Sequence, residues 1–167
     1  MFSGHRSERR PKLCQSTYSL KNTMPSQARL FQMPEEVIEA WRESLHRNDL
    51  DGSIDLWMDE DSITCILPGG KRLNGHAELR EGLKKILEDH FLWLDPIQVI
   101  GHTGIGISFF DSTEAVRLEA EQIEPEFFLN FTYILVQGPM GWRIAHIHTS
   151  PAQEEHIQLP STIHGFH

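Results

Sequence analysis

The chain has 167 residues, of which 39% are hydrophobic, and a formal net charge of −9 at pH 7. This length suits one domain with a single core, and the apolar runs are too short to cross a membrane. Residues 1–33 hold six basic side chains and one acid, so the remaining residues, with nine basic and twenty-three acidic side chains, carry −14. That acidic surface argues against nucleic acid or an anionic membrane as a partner. The two cysteines form no CxxC pair or disulfide framework, which predicts a cytoplasmic protein.

The two ends of the chain differ in composition from its middle. Residues 1–33 are basic, rich in serine and poor in apolar residues, which predicts a disordered leader. A transit peptide would share this composition, while Met24 and Met33 offer later start positions. Residues 152–167 show no periodic pattern and predict a flexible C-terminal arm. The folded domain is therefore predicted over residues 34–151.

Three helices are predicted in the first half of this domain. Pro34 and the two glutamates after it favour a helix start, and four apolar residues follow at helical spacing: Val37, Ile38, Trp41 and Leu45. Asn48 or Asp49 begins a shorter helix that runs to Trp57. The third helix begins at Asn74 and Gly75, and its apolar stripe consists of Leu79, Leu83, Ile86 and Leu87.

The remaining segments have the composition of β-strands. Two short strands, SITCILP and KRL, flank the turn PGGK. From residue 92 onward the predicted strands are WLDPIQVIGHTGIGISFF, bent at its glycines, then EAVRLEAEQI, FFLNFTYILVQ and WRIAHIHTS. Helices followed by a run of long antiparallel strands predict the α+β class, with one curved sheet and the helices packed against one of its faces.

Three passages carry a resemblance to a known family: AWRESLHRNDLDGSIDLW, LPGGKRLNGHAELREGL and the closing GWRIAHIHTSP. Over residues 34–151 they resemble the nuclear transport factor two-like (SnoaL-like) superfamily. The closing passage is similar to the association (hub) domain of calcium/calmodulin-dependent kinases. The resemblance implies a strongly curved antiparallel sheet wrapped around three N-terminal helices, with cystatin-like topology, an apolar pocket inside this cone and a homodimer through the outer sheet face. The family includes ketosteroid isomerases, polyketide cyclases, dehydratases and assembly modules, so the fold leaves the function open.

The closing strand contains two histidines two residues apart, His146 and His148. Alternation puts them on one face together with Trp142 and Ile144. A zinc or iron site would need a third protein ligand, and no nearby spacing supplies one, which leaves His76, His102 or a distant acid. The resemblance implies that the opposite face of this strand, with Ile147 and Thr149, lies toward the pocket. The two histidines are then predicted at a subunit contact, and no metal ligands are predicted.

The strand FFLNFTYILVQ, which precedes the closing strand, has the pattern of a pocket wall. One face carries an unbroken apolar row: Phe127, Leu129, Phe131, Tyr133 and Leu135. Tyr133 is the polar tip of that row and can donate a hydrogen bond to a ligand carbonyl or oxyanion. The alternative is a core tyrosine that hydrogen-bonds the backbone.

Glu121 is the candidate acid/base residue. Periodicity alone puts it on a solvent face with Arg117 and Glu119, whereas the resemblance puts it where hub domains carry a pocket arginine. Inside an apolar cone, desolvation would raise the pKa of this carboxyl group toward the working range of a general acid or base. Paired with Tyr133, it would suit enolisation, dehydration or ring closure. The Asp-Pro pair that supplies the base in ketosteroid isomerases reads Leu67-Pro68 here.

Two functions are therefore predicted as alternatives. The first is the binding of a small, mostly apolar molecule, with isomerase, dehydratase or cyclase chemistry that needs no cofactor. Its predicted ligand-binding residues are Trp57, Phe131, Ile147 and Thr149. The second is a non-catalytic dimerisation or assembly module. A desolvated carboxylate facing Tyr133 favours the first, and a pocket filled by tryptophan and phenylalanine side chains favours the second.

Overall fold

The computed structural model describes residues 29–153, and the predicted leader up to residue 28 and the arm from residue 154 lie outside them. The elements in chain order are α1 (Pro34–His46), α2 (Leu50–Ile54), β1 (Thr64–Ile66), β2 (Arg72–Asn74), α3 (Gly75–Asp89), β3 (Trp93–Thr103), β4 (Ile107–Arg117), β5 (Phe127–Gly138) and β6 (Gly141–Pro151). The predicted α+β class is confirmed. No helix within residues 29–153 combines the length and the hydrophobicity that crossing a bilayer requires.

The helices begin where their sequence signals predict. Glu36, in the first turn of α1, folds back so that its side chain accepts hydrogen bonds from the backbone N–H groups of Gln32 (3.1 Å) and Met33 (3.3 Å). Asp49 caps α2, where its side chain accepts from the Gly52 N–H at 2.9 Å. The apolar stripe of α1 is buried, and so are Leu79, Leu83 and Leu87 of the α3 stripe, whereas Ile86 is half-buried.

The six strands form one curved, open sheet in the order β2-β1-β6-β5-β4-β3. Neighbouring strands run antiparallel except β1 and β6, which are parallel. The three longest ladders pair β3 with β4, β4 with β5, and β5 with β6. Helix α1 crosses the inner face of these four strands, from the start of β6 to the start of β3. The core of the protein lies inside this curve.

The prediction that WLDPIQVIGHTGIGISFF forms one bent strand is wrong. Residues 104–106 close a hairpin between β3 and β4, in which the Gly104 N–H donates to the Ile107 carbonyl at 2.9 Å. Gly106 has a φ of 76°, a left-handed conformation that glycine adopts without steric cost. The glycines therefore reverse the chain, and the strand that follows starts earlier than the sequence predicted.

The next predicted strand, EAVRLEAEQI, is also displaced. β4 ends at Arg117, whose Nη2 forms an ion pair with Asp95 Oδ2 at 2.7 Å. The chain then turns, and the Leu118 N–H donates to the side chain of Gln122 at 2.9 Å. Glu121 consequently lies in an exposed loop between β4 and β5.

A β-bulge in β6 breaks the strict alternation that the sequence predicted. The ladder register shifts between Ile134 and Leu135, so that Ala145 is an extra residue in β6. The buried residues on the two sides of the bulge are Trp142, Ile144, Ile147 and Thr149. The prediction that Trp142 and Ile144 face outward with the two histidines is therefore wrong, whereas the predicted inward face of the second half is correct.

The core also includes a residue that the sequence placed in the leader. Phe31 is buried and forms a bridge with Gly141, and the Trp142 N–H donates to its carbonyl at 3.0 Å. Gly141 has a φ of 81°, and a side chain there would collide with the Phe31 backbone. The packed part of the chain thus extends to residues before Pro34.

Candidate functional site

A fully buried carboxylate lies inside the cone, between α1 and the sheet. Glu114 on β4 has no exposed surface, and its Oε1 accepts hydrogen bonds from three side chains. Arg42 of α1 donates through Nη2 at 2.7 Å and Nε at 3.2 Å. Tyr133 of β5 donates through its hydroxyl at 2.9 Å, and Ser112 donates at 3.0 Å. Side chains of α1, β4 and β5 thus converge on one oxygen atom.

The charges of this cluster are mutually stabilised. Burial alone would lower the pKa of Arg42, but its hydrogen bond to Glu114 and the negative charge of that group outweigh burial and raise it. Burial raises the pKa of Tyr133 well above its usual value, and the charge of Glu114 raises it further. Tyr133 is therefore a neutral phenol, and it serves as a hydrogen-bond donor.

The second oxygen of the same carboxylate is unused. Glu114 Oε2 is buried and has no hydrogen-bond partner among the described residues, and the same holds for the indole Nε1 atoms of Trp41 and Trp57. The two indoles pack edge to face, with ring centroids 5.8 Å apart, and this contact can occupy one N–H at most. Because buried polar groups are almost always paired, these three atoms keep unused hydrogen-bonding capacity inside the described part of the chain.

Most residues predicted for the pocket do lie inside the cone. Tyr133, Phe131, Ile147 and Thr149 are all buried, and the rings of Phe131 and Tyr133 stack with centroids 5.4 Å apart. The structure brings these four together as expected from the sequence. Tyr133 is a core tyrosine, as the alternative expected, but its hydroxyl donates to a carboxylate and not to the backbone.

Glu121, the predicted acid/base residue, does not lie inside the cone. It lies in the exposed loop after β4, because the strand ends before reaching it, and Glu114 provides the buried carboxylate instead. Sequence reasoning misses Glu114 because it is the first residue of the predicted strand EAVRLEAEQI, whereas β4 begins at Ile107. A strand started at Ile107 puts Glu114 in phase with Phe110 on the inner face, which is the signal that could have found it.

Trp57 lies between two regions. It belongs to the core, yet it also lines a cleft of about 720 Å³ that opens outside the cone, between the α1–α2 corner and the start of β6. Phe131, Ile147 and Thr149 do not line that cleft. The predicted ligand-binding residues therefore divide between the cone interior and this outer cleft.

The outer face of the sheet carries the two histidines. His146 is half-buried, its Nδ1 lies 2.6 Å from Thr64 Oγ1, and His148 beside it is exposed. Burial, and then the neighbouring His148 and Arg72, lower the pKa of His146. Within residues 29–153, no three His, Cys, Asp or Glu side chains lie close enough to hold a metal ion.

The sequence matches the family model of the SnoaL-like domain over residues 35–154. The chain belongs to the SnoaL-like domain family. That match spans the three helices, the whole sheet and the buried Glu114 cluster. No protein of curated function matches the sequence significantly.

Solved structures share the SnoaL-like fold at low sequence identity. A candidate calcium/calmodulin-dependent protein kinase type II association domain from Thiobacillus denitrificans superposes with a TM-score of 0.66 and 22% identity, over 75% of this chain and 99% of that one. A candidate dehydratase of the nuclear transport factor two-like family from Streptomyces avermitilis gives 0.65 and 18%, over 71% and 93%. An uncharacterised protein with a cystatin-like fold from Caulobacter vibrioides gives 0.62 and 13%, over 72% and 88%. At these identities the likeness establishes the fold.

Proposed function

We propose that this SnoaL-like domain binds a small, largely apolar molecule inside the cone, and that Glu114 has the role the sequence assigned to Glu121. The observation that carries the proposal is the one-sided bonding of Glu114. Within residues 29–153, its Oε1 accepts all the side-chain donors and its buried Oε2 accepts none. A buried carboxylate oxygen without a donor costs free energy unless a ligand or water supplies one.

The surroundings of this oxygen define the ligand class. The buried side chains of α1, α3, β5 and β6 are mostly apolar, so most of a ligand among them would be apolar. Oε2 can only accept, so the ligand needs a hydroxyl or an N–H group at this point. A hydroxylated ring or chain satisfies both requirements, and neither metal nor organic cofactor takes part in this proposal.

Catalysis of the lyase or isomerase type is a stronger form of the same proposal. Glu114 Oε2 would take a proton from a carbon next to a carbonyl and return it to another carbon, or to a leaving hydroxyl that departs as water. Nothing in the arrangement requires this proton transfer, whereas the unpaired Oε2 does require a hydrogen-bond donor. Binding is therefore the primary function that we propose, in a cytoplasmic protein as the sequence predicts.

Matched ligands test the proposal. Phenol and anisole differ in the hydroxyl hydrogen, and their binding can be followed by ligand-observed NMR. We expect phenol to bind about tenfold more tightly than anisole, and Glu114→Gln, which replaces one acceptor oxygen by an NH₂ group, to abolish that preference. Glu121→Gln is the matched control and should leave it unchanged. Absence of binding by both molecules, or a preference that survives in Glu114→Gln, would contradict the proposal.

The outer sheet face favours a second function, self-association. Ile100, Ile107 and Phe109 on β3 and β4 are 58%, 53% and 48% exposed, and the half-buried Ile134 and Val136 of β5 continue the same face. Apolar side chains that adjoin on a strand face lose their water when a second copy packs on them. A two-fold homodimer through this face would serve a non-catalytic assembly role as well as a binding one.

Sedimentation velocity distinguishes the proposed homodimer from a monomer. Phe109→Glu puts a charge at the centre of the face and should convert a dimer into a monomer. Ile123→Glu adds the same charge in the exposed β4–β5 loop and should not. A wild-type monomer at high concentration, or a dimer that tolerates Phe109→Glu, would refute association through this face.

A further inference from the structure

We propose that the outer cleft is a second binding site, which takes a small zwitterion bearing a carboxylate, an ammonium group and an apolar side chain. The cleft lies between the α1–α2 corner and the start of β6, apart from Glu114, and the proposal does not rest on the function proposed for the cone.

A buried donor without a partner lines this cleft. Trp57 is 3% exposed, and its Nε1–H has no acceptor among the described residues. The backbone around it is fixed to β6, because the Ile144 N–H donates to the Leu56 carbonyl at 2.9 Å and the Met58 N–H donates to the Ile144 carbonyl at 3.0 Å. An indole N–H held in this way needs an acceptor oxygen, such as a ligand carboxylate.

A cation lies in the same cleft. The guanidinium of Arg143 is 5.5 Å from the centre of the Phe31 ring and is anchored by two hydrogen bonds to backbone carbonyls, Nη1 to Trp142 at 2.8 Å and Nη2 to Arg29 at 2.9 Å. A guanidinium has five N–H donors, so these bonds leave others for a ligand. Arg143 therefore supplies the positive charge that a carboxylate beside Trp57 would require.

Acidic side chains in the cleft set the second requirement. Two of its four acids are occupied, since Glu43 pairs with Arg47 and Asp49 caps α2. The side chains of Asp55 and Asp59 form no hydrogen bond or ion pair with the residues that the structure describes, although both act electrostatically on Arg143. A simple anion would be repelled by these acids and a simple cation by the arginine. A ligand with both charges satisfies each, and Phe31, Leu56 and Met140 offer an apolar surface for its side chain.

Three ligands of one shape separate the charge requirements. L-Phenylalanine carries both charges, 3-phenylpropanoate lacks the ammonium group, and 2-phenylethylamine lacks the carboxylate. By calorimetric titration of the full chain, we expect saturable binding of L-phenylalanine, at least about tenfold tighter than that of either relative. No saturable binding of L-phenylalanine, or equal affinities for the three, would overturn the proposal.

Variants then locate the site. Trp57→Phe keeps an aromatic ring and removes the N–H, Arg143→Gln removes the cation, and Asp55→Asn removes an exposed acid with little risk to folding. Each should weaken L-phenylalanine binding by about fivefold or more. Arg80→Gln and Glu121→Gln, both at exposed positions outside the cleft, should leave it unchanged. Affinity that survives in both Asp55→Asn and Arg143→Gln, or that is lost to the same extent in Glu121→Gln, would remove the site from this cleft.

Discussion

Replacement of Arg42 by methionine should strongly destabilise the fold, because it leaves the buried carboxyl group of Glu114 without its counter-ion. Methionine keeps most of the apolar stem of arginine and removes the guanidinium. The lost contacts are the 2.7 and 3.2 Å hydrogen bonds to a carboxylate that has no exposed surface. Removal of one partner of a buried ion pair costs about 3–5 kcal/mol. For a domain of this size that corresponds to a fall in Tm of roughly 10–20 °C.

Urea unfolding monitored by tryptophan fluorescence measures this loss directly. The matched control is Arg80→Met, because Arg80 pairs with Asp51 at the same 2.7 Å while both side chains remain exposed. Exposed pairs contribute at most about 1 kcal/mol, so this variant should unfold close to the wild type. The double variant Arg42→Met with Glu114→Gln should recover a large part of the loss, because no buried charge is left unpaired.

One result would refute this reasoning. If Arg42→Met unfolds within about 1 kcal/mol of the wild type, the ion pair is not desolvated as its burial implies. A double variant as unstable as Arg42→Met would show that the packing of α1, and not the charge of Glu114, accounts for the loss.

Three further predictions concern other parts of the fold. Gly141→Ala should destabilise the protein by about 1–3 kcal/mol in urea, because its φ of 81° and the close Phe31 backbone leave no room for a side chain. In a Cys14→Ser background, Cys65 should resist Ellman's reagent at pH 8 until the protein unfolds, because burial raises the pKa of its thiol to about 12. For His146 the pKa is lowered in the folded state, so its contribution to stability is present above the unfolded-state pKa of about 6.5 and is lost as the pH falls from that value through the lower folded-state pKa. Wild type should therefore lose more stability than His146→Gln between pH 8 and pH 5.5.

Each of these has a contrary outcome. Gly138→Ala, where an added side chain meets nothing within 4 Å, is the control for the glycine, and equal losses in both variants would contradict the steric cause. Rapid labelling of Cys65 in the native protein would show that its burial is transient. Parallel pH profiles for wild type and His146→Gln would show that this histidine titrates alike in the folded and unfolded chains.

The local elements were predictable because their signals are local. Pro34, the acidic first turn of α1 and the apolar spacing after it specify a helix wherever the chain folds. Alternation in β5 likewise specified the inward face on which Tyr133 lies, and the order of helices and strands specified the α+β class. These features depend on neighbours a few residues away, which the sequence displays directly.

The site was not predictable to the same degree, since one-residue errors in a strand reverse its faces. The turn at residues 104–106 and the extra residue Ala145 each shift the alternation of a strand, and neither is visible in periodicity alone. The resemblance places Glu121 in the pocket, but this residue lies in an exposed loop, and the buried carboxylate is Glu114.

The sequence by itself determined the class of fold, the starts of the helices and the inward row of β5 from Leu129 to Leu135, whereas α2 ends at Ile54 and Phe127 is exposed. Tertiary structure alone decided which carboxylate is buried, because burial of Glu114 depends on Arg42 approaching from a helix 72 positions earlier in the chain. A charge can enter an apolar core only when a partner arrives from elsewhere in the fold, and this partner is set by packing.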